Sequence, residues 1–399
     1  MNNYTPLHPS RLIQAFCHYL KRIEFTGNSL PEQRSQRNTK GMIRILYTDD
    51  SLPVGGKEIL LLEYLKRIER DKFQVHLITL SSTGALTDDA IKLADAYTCM
   101  KRKHKFDPWV ILGLRRYMRD NKIQIVHTSQ WIDSLYVYIA SLGLRAKRIS
   151  TIHGYISGWR RRVHKLVLGQ FEQAICVSQS SRDELIRQGY QAKRFSVIHN
   201  GIDLSKFRKK SFYNDAEKKL IIGMTGSFRK ERDHLTLLGA VHRLIKAGYK
   251  NVELLFFGGV LDPVCKDDVL NYILENEIGS YVKFSGVQRN ILELLSQLDI
   301  YVASSHSETF GLALVEAMAS GLPVIVSEIP PFMEIIENGK YGLYFEKGNY
   351  KKLAMEIEFL MNNKSEMIHY GALAFERSTE FSIESNIDQL ENVYRKILD

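Results

Sequence analysis

From Met42 onward the chain alternates short apolar runs with helical patterns, and this alternation constrains the fold more than any other feature. Such runs fit strands buried on both faces, and the stretches between them fit crossover helices, the signature of βαβ units and parallel sheets. The first series of candidate strands is Ile43–Tyr47, Phe73–Thr79, Ile123–His127, Ile149–His153, Ala174–Ser178 and Phe195–His199. A turn at Asn200-Gly-Ile-Asp203 and a charged stretch from Lys206 to Lys219 interrupt the pattern. A second series follows: Leu220–Thr225, Val252–Phe257, Val282–Ser285, Ile300–Ala303, Val324–Ser327 and Gly342–Phe345. At 399 residues the chain is long enough for two cores of ordinary size. The expected organisation is an extension over 1–41, one α/β domain over 42–205, a second over 206–382, and a helix over 383–399.

The extension differs from the rest. Leu12, Ile13, Phe16, Tyr19, Leu20 and Ile23 recur at helical spacing beside Arg11, Lys21 and Arg22, which makes a short basic amphipathic helix. It could lie on a membrane or pack on the protein; periodicity alone leaves both readings open. Ser29 to Gly41 reads as a polar linker.

Charge is segregated along the chain. Residues 1–200 hold 32 Lys and Arg against 17 Asp and Glu, whereas residues 201–399 hold 23 against 28, so a net +10 conceals a basic half and an acidic half. The basic half contains Lys101-Arg-Lys-His-Lys105, Arg145-Ala-Lys-Arg148 and Arg160-Arg-Arg-Val-His-Lys165. Each cluster alone reads first as a solvated surface, with His164 expected on it. The bias of the whole half points to an anionic membrane surface or an acidic acceptor. Nucleic acid is not expected, since no aromatic-rich strand signature, zinc pattern or helix-turn-helix pattern accompanies the charge. No apolar run reaches membrane-spanning length, and no secretory leader is visible, so a cytoplasmic location is expected, with peripheral contact at the inner membrane face. Cys17, Cys99, Cys176 and Cys265 are scattered and form no metal-ligand or redox spacing.

The segment Ser304 to Pro323 carries the most chemistry. Glu308 lies in a small-polar loop after the apolar run Asp299–Ala303; Phe310-Gly311 then opens a helix over Leu312–Ser320, which Gly321-Leu-Pro323 stops. Glu316 sits on that helix. A helix N-terminus offers unpaired N–H groups and partial positive charge to a pyrophosphate. A carboxylate just before it can meet a sugar, and one further along can accept from a ribose diol, as the acidic residue of dinucleotide folds does. Two solvated glutamates would be the plain alternative for a lone pair. The joint pattern of Ser304, Ser305, Ser307, the Thr-Phe-Gly-Leu turn and the Ala-Met-Ala-Ser-Gly-Leu-Pro ending goes beyond a spacing.

That pattern resembles the Glu-x7-Glu segment of the retaining nucleotide-sugar glycosyltransferases of family 4, and the resemblance runs from about Ile43 to the C-terminus. It implies the GT-B fold, two Rossmann-like parallel-sheet domains facing a central cleft, with the final helix crossing back onto the first domain. It implies transfer of a sugar from a nucleotide donor, most simply a UDP-sugar, with retention. Other segments fit. Gly55-Gly56 after the first strand resemble the family's glycine-rich loop that meets acceptor and donor phosphate. Thr151-Ile-His153-Gly154 resembles the family's sugar-contacting histidine, with His127 a weaker candidate. Gly226-Ser-Phe-Arg229-Lys230-Glu-Arg232 is led by glycine and dense in positive charge, as a leaving diphosphate requires. It departs from the usual family form by having Ser227 and Arg232 where Arg and Lys are common, which points to Arg229 as the replacement. Gly258-Gly259 is read as bordering the nucleotide and Val287 as lining the base pocket; Ser181 with Glu184 is read as a capping box, and Glu334 as structural.

In the resulting expectation Arg229, Arg232 and Lys230 stabilise the diphosphate and Glu308 contacts the sugar. Thr309, Phe310, Gly311 and Leu312 supply backbone N–H groups, Glu316 holds the ribose, and His153 with Gly55-Gly56 closes the site from the first domain. No Asp-x-Asp pair is present, and cations stand where a metal would need carboxylates, so no metal or other cofactor is expected. No nucleophile is evident on the opposite face, which favours same-face displacement. The acceptor expected is a glycan or lipid-linked glycan in cell-surface polysaccharide biosynthesis. Two other classes stay open: a nucleotide-sugar epimerase on the same fold, and a catalytically silent nucleotide-binding protein.

Overall fold

The computed structural model describes residues 41–191, 194–210, 219–287 and 290–399; the amphipathic helix expected before Met42 lies outside them. The chain divides into two compact units, each built on its own parallel sheet. Of the described residues, the first comprises those within 41–177, 184–198 and 387–399, and the second those within 178–183 and 199–386.

The first unit carries seven strands: β1 (Ile43–Asp49), β2 (Phe73–Thr79), β3 (Ala96–Cys99), β4 (Ile125–Thr128), β5 (Lys147–Ile152), β6 (Gln173–Cys176) and β7 (Phe195–Val197). Their order is β3-β2-β1-β4-β5-β6-β7. β1 pairs from Ile43 opposite Phe73 to Asp49 opposite Thr79 on one side, and from Ile45 opposite Ile125 to Thr48 opposite Thr128 on the other. The edge strand β3 was not expected from sequence: Ala-Tyr-Thr-Cys is short and only partly buried, so its apolar signal is weak.

Helices α1 (Gly56–Arg67) and α2 (Thr87–Leu93) follow the strands that step outward from β1. Helices α3 (Pro108–Asp120), α4 (Trp131–Ser141), α5 (Gly158–Leu168) and α6 (Gln179–Arg187) follow the strands that lead to β7. Right-handed crossovers therefore place α1 and α2 on one face and α3, α4 and α5 on the other. Val110, Ile111, Leu114, Tyr136, Val137, Val167 and Leu168 pack the second face against Leu46, Ile78, Val126 and Ile152.

The second unit has six strands: β8 (Leu220–Thr225), β9 (Val252–Phe257), β10 (Val282–Phe284), β11 (Ile300–Ala303), β12 (Val324–Ser327) and β13 (Leu343–Phe345). They lie in the order β10-β9-β8-β11-β12-β13. Helices α7 (His234–Lys246), α8 (Pro263–Glu275), α9 (Ile291–Gln297), α10 (Leu312–Ala319), α11 (Pro330–Ile335), α12 (Tyr350–Asn362) and α13 (Lys364–Ser378) connect or cover them. α10 ends as its sequence demands. Gly321 adopts φ 72°, its N–H donates to Met318 O, and the Leu322 N–H donates to Ala317 O, a Schellman stop.

The boundaries of the units differ from the sequence reading of 206 and 383. The second unit starts at His199 because the Asn200-Gly201 turn lies against the backbone of 381–383. Ile202 N donates to Phe381 O (2.9 Å), Ile383 N donates to Ile202 O (2.9 Å), and a Cβ on Gly201 would stand 2.6 Å from Ile383 Cα. Ser178–Asp183 joins that unit as well, since Gln179 N and Ser180 N donate to the Glu334 carboxylate at 2.8 and 2.9 Å. The capping box also moves. α6 starts at Gln179, and Ser178 and Ser181 cap each other, Ser181 Oγ accepting from Ser178 N (3.2 Å) and Ser178 Oγ from Ser181 N (3.0 Å). Glu184 instead accepts from Gln188.

The final helix, α14 (Ile383–Lys396), contributes residues 387 onward to the first unit. Tyr394 is fully buried there, edge-on to Tyr64 and Phe73, with its Oη 2.6 Å from His127 Nδ1. His127 Nε2 lies 2.7 Å from Thr151 Oγ1, so both ring nitrogens have structural partners, and burial lowers its pKa to about 3. His127 is a packing residue and not a ligand-facing one. Tyr394→Phe strips a partner from this buried ring, and urea unfolding should show a loss of about 1–3 kcal/mol with the slope unchanged.

Candidate active site

In a parallel sheet every strand ends at the same edge, and a crevice opens where the strand order reverses. Here the reversals fall between β1 and β4 and between β8 and β11. Each unit carries its polar cluster at that point.

In the second unit the loops after β8 and β11 bring opposite charges together. Arg232 Nη1 ion-pairs with Glu308 Oε1, and Arg229 Nη2 lies 4.0 Å from the same oxygen. The loops are held by backbone: His306 N donates to Glu231 O at 2.7 Å, and Ser304 Oγ donates to Asp233 O at 2.8 Å. Asp233, in the left-handed region at φ 51°, caps α7 by accepting from Thr236 N, and it stands 3.3 Å from His306 Nε2. Gly226 (φ 143°) passes so close to Arg232 that a Cβ would lie 3.0 Å from Nε. The same turn is tied to the ends of β9 and β10: Phe228 N donates to Gly259 O and Gly258 N to Gly286 O. Lys230 is exposed and stands outside the ion-paired group.

Glycine is required at 311. Its φ is 123°, and a Cβ would meet Phe332 Cε1 at 2.8 Å. It caps α10, whose following residue Leu312 begins the helix, so the first-turn N–H groups of Leu312 and Ala313 precede the first intrahelical bond. Phe310 is buried beside His199 and Phe381 and anchors the turn, and the Thr309 carbonyl accepts from Ser178 Oγ at 2.6 Å. Phe310 thus serves as a packing anchor, with only its backbone available to a ligand. Glu316 is partly buried on α10, and its carboxylate takes no hydrogen bond or ion pair among the described residues; desolvation raises its pKa to about 7. Glu334 matches its structural reading. Burial acts to raise its pKa, and the hydrogen bonds from His199, Ser180 and Gln179 outweigh that and hold it low.

Val287 is not brought to this cluster. It is 62% exposed at the end of β10, two strands from β8, and covers Gly259. Its exposed side chain stands over the β9 end that the Gly226 turn is tied to, clear of the Arg232–Glu308 pair.

In the first unit the switch point holds a buried ionic network and a cavity of about 260 Å³. Asp49, at the end of β1, accepts from Lys57 Nζ (2.5 Å), Ser129 Oγ (2.9 Å), Gln130 Nε2 (2.6 Å) and Asp50 N (2.7 Å). Lys57 also lies 2.6 Å from Glu58 Oε1. Gly55 caps α1 in extended conformation, and a Cβ there would meet Glu58 Oε2 at 2.5 Å. The carboxylate that Gly55 admits at the start of α1 is the chain's own Glu58. Asp133 is fully buried and accepts from Ser129 N and Gln130 N; burial first, then the Asp49 charge, push its pKa well up.

His153 lines the cavity with Lys57, Ser129, Gln130, Trp131, Thr151 and Tyr155. Desolvation, then the Lys57 charge, lower its pKa to about 4, so it is a neutral imidazole at physiological pH. His164, expected on the surface, is buried in the wall with its Nδ1 3.0 Å from Tyr190 Oη. It occupies the inward stripe of α5, which the run of arginines around it conceals. Asp49, Lys57, Gln130 and Trp131 were absent from the sequence reading; their position at the ends of β1 and β4 is the signal that would have found them.

Two family models match consecutive parts of the chain, Glycosyltransferase Family 4 over residues 54–206 and Glycosyl transferases group 1 over 205–374. The chain belongs to these GT-B glycosyltransferases. It is 27% identical over 367 residues to N-acetyl-alpha-D-glucosaminyl L-malate synthase of Bacillus anthracis, covering 86% of this chain and 95% of that one. It is 23% identical to the UDP-Gal:alpha-D-GlcNAc-diphosphoundecaprenol alpha-1,3-galactosyltransferase of Escherichia coli, covering 90% and 98%. Among solved structures, Anabaena HepE in complex with UDP and glucose superposes with a TM-score of 0.77 at 20% identity, covering 88% of this chain and 99% of that one.

The raised pKa of Glu316 has a defined consequence. The folded state holds the proton more tightly than an unfolded carboxyl near 4.5 does, so this group's contribution to stability is fully present below 4.5 and is lost as pH rises through about 7. Glu316→Gln should flatten that slope in the pH dependence of the urea midpoint, and a Glu316 carboxyl resonance should titrate near 7.

Proposed function

We propose that this protein transfers a sugar from a nucleotide-sugar, most simply a UDP-sugar, to a glycan or lipid-linked acceptor in cell-surface polysaccharide biosynthesis, with retention and without a metal. The observation that carries the reading is the Glu308–Arg232–Arg229 cluster beside the first turn of α10, with Glu316 further along the same helix. In this reading the guanidiniums and the α10 N–H groups take the diphosphate, whose charge grows as the glycosidic bond breaks. Diphosphate binding draws the guanidiniums toward phosphate and leaves Glu308 to the sugar. Glu316 accepts from the ribose hydroxyls, and its desolvated carboxylate is the destabilised form that such donors relieve. Charge neutralisation by Arg229 and Arg232 does the work a divalent ion would otherwise do.

In the first unit the cavity around His153 is assigned to carbohydrate. A neutral imidazole beside an ammonium and hydroxyls suits hydrogen bonding to sugar hydroxyls. Support for the acceptor class comes from the Escherichia coli relative, whose name states a UDP-linked donor and a diphosphoundecaprenol acceptor, and for the donor class from the UDP and glucose bound to HepE.

UDP-, GDP- and ADP-sugars should be screened by thermal shift. A true donor at about 100 times its Kd stabilises by roughly 2.7 kcal/mol. Arg232→Ala should reduce transfer by about a hundredfold or more, the scale of losing one transition-state charge donor. Donor affinity should tighten as pH rises through about 7, and Glu316→Gln should abolish that dependence. Turnover unaffected by EDTA and an α-configured product from an α-configured donor complete the reading. Donor conversion without acceptor would transfer the assignment to an epimerase, and unchanged donor binding in Glu316→Ala would refute the site.

A further inference from the structure

The three tryptophans of the chain occupy equivalent places in three consecutive helices. Trp109, Trp131 and Trp159 each stand in the first turn of α3, α4 and α5. Each helix follows a strand of the same parallel sheet, so all three starts lie at the strands' C-terminal edge, and α3 packs on α4 and α4 on α5. The indoles therefore form a row. Trp131 and Trp159 meet edge-on at 6.2 Å, and Trp109 and Trp159 are 65% and 67% exposed.

The setting of this row is cationic. Lys101, Lys103, Lys105, Arg160, Arg161 and Arg162 are exposed in the segments that carry it, and the acidic side chains of the helix starts, Asp107 and Asp133, are both buried. Exposed indoles are disfavoured in water but favoured at headgroup depth, where an apolar ring and its N–H both find partners. Basic side chains beside them supply attraction to anionic lipid. Trp131 and Tyr155 also line the His153 cavity, so the row runs to the rim of that cavity.

We propose that this edge of the first unit docks on an anionic bilayer surface, with its indoles in the headgroup layer. The corollary, that a lipid-anchored acceptor enters the His153 cavity from that surface, rests on the transferase reading; the docking itself does not.

The test is co-sedimentation of the full chain with phosphatidylcholine vesicles, with and without phosphatidylglycerol. Binding is expected only with the anionic lipid and should weaken at high salt. Lys105→Ala/Arg161→Ala/Arg162→Ala should lower partitioning roughly a hundredfold, from about a tenfold effect or less per basic residue. Trp109→Ala/Trp159→Ala should lower it roughly tenfold or more. Both variants should keep the wild-type melting temperature and donor-induced thermal shift. Equal binding to neutral vesicles, or undiminished binding by both variants, overturns the proposal, the latter assigning attachment to another segment. Self-association by light scattering that the tryptophan variant abolishes overturns it too, because the row would then be a contact between copies. Failure here leaves transfer to a soluble acceptor intact, whereas failure of the transferase reading leaves vesicle binding intact.

Discussion

The constraint on which the rest depends is the directionality of the parallel sheet. A strand followed by a crossover helix must always leave the sheet at the same edge, so every strand-to-helix loop of a unit gathers there. Where the order turns back, at β1/β4 and again at β8/β11, two neighbouring loops diverge to opposite faces and leave room for polar side chains. Asp49, Lys57 and Gln130 meet at the first such point; Arg232 and Glu308 meet at the second. Residues 76 positions apart in sequence become an ion pair because their strands are adjacent and parallel.

The two clusters handle charge differently. In the first unit the carboxylates are satisfied internally: Asp49 has four donors, and Glu58 is tied to Lys57. Such a network fixes geometry, and burial, with the Lys57 charge in second place, holds His153 neutral. In the second unit Arg229 and Arg232 share a single carboxylate oxygen, and the Glu316 carboxylate has no hydrogen-bond or ion-pair partner among the described residues. Cations in excess of their carboxylate, next to a helix start, form an arrangement that an anion completes. An ionised carboxyl kept partly from water is likewise relieved by hydroxyl donors. The electrostatic imbalance of the second unit, set against the balance of the first, is the physical basis for assigning the phosphates there.

Much of the fold was legible because its signals are local and strong. β8 to β13 and most of the first series are continuous apolar runs, and α10 is a run of strong helix formers closed by Gly-Leu-Pro. The Glu308–Glu316 segment was legible because its turn glycine, its capping geometry and its stop all leave marks in sequence. What was not legible depends on tertiary partners. His164 looks like a surface residue within a run of arginines, yet one stripe of α5 faces inward. His127 looks like a ligand at a strand end until Tyr394, from far along the chain, is seen to hold it. Sheet order, which no single strand reveals, puts β10 and Val287 at the margin, two strands from β8. The start of the second unit at His199 follows from the Gly201 backbone pressing on residue 383, a contact between segments far apart in sequence.

The same directionality explains why the tryptophans are informative. A tryptophan in the first turn of a crossover helix is delivered to the strand-end edge whatever the length of the preceding loop, and here three consecutive helices deliver one each, two of them in contact. Scattered exposed hydrophobic residues on a globular surface call for no explanation, whereas a contiguous row does. Here the row stands among cations and reaches the rim of a cavity lined by hydroxyl, amide and imidazole groups and the Lys57 ammonium. The edge therefore grades from a cationic, indole-rich margin to a polar interior, the order of environments that an amphiphile with an apolar tail, an anionic linker and a hydroxylated head would meet on entering.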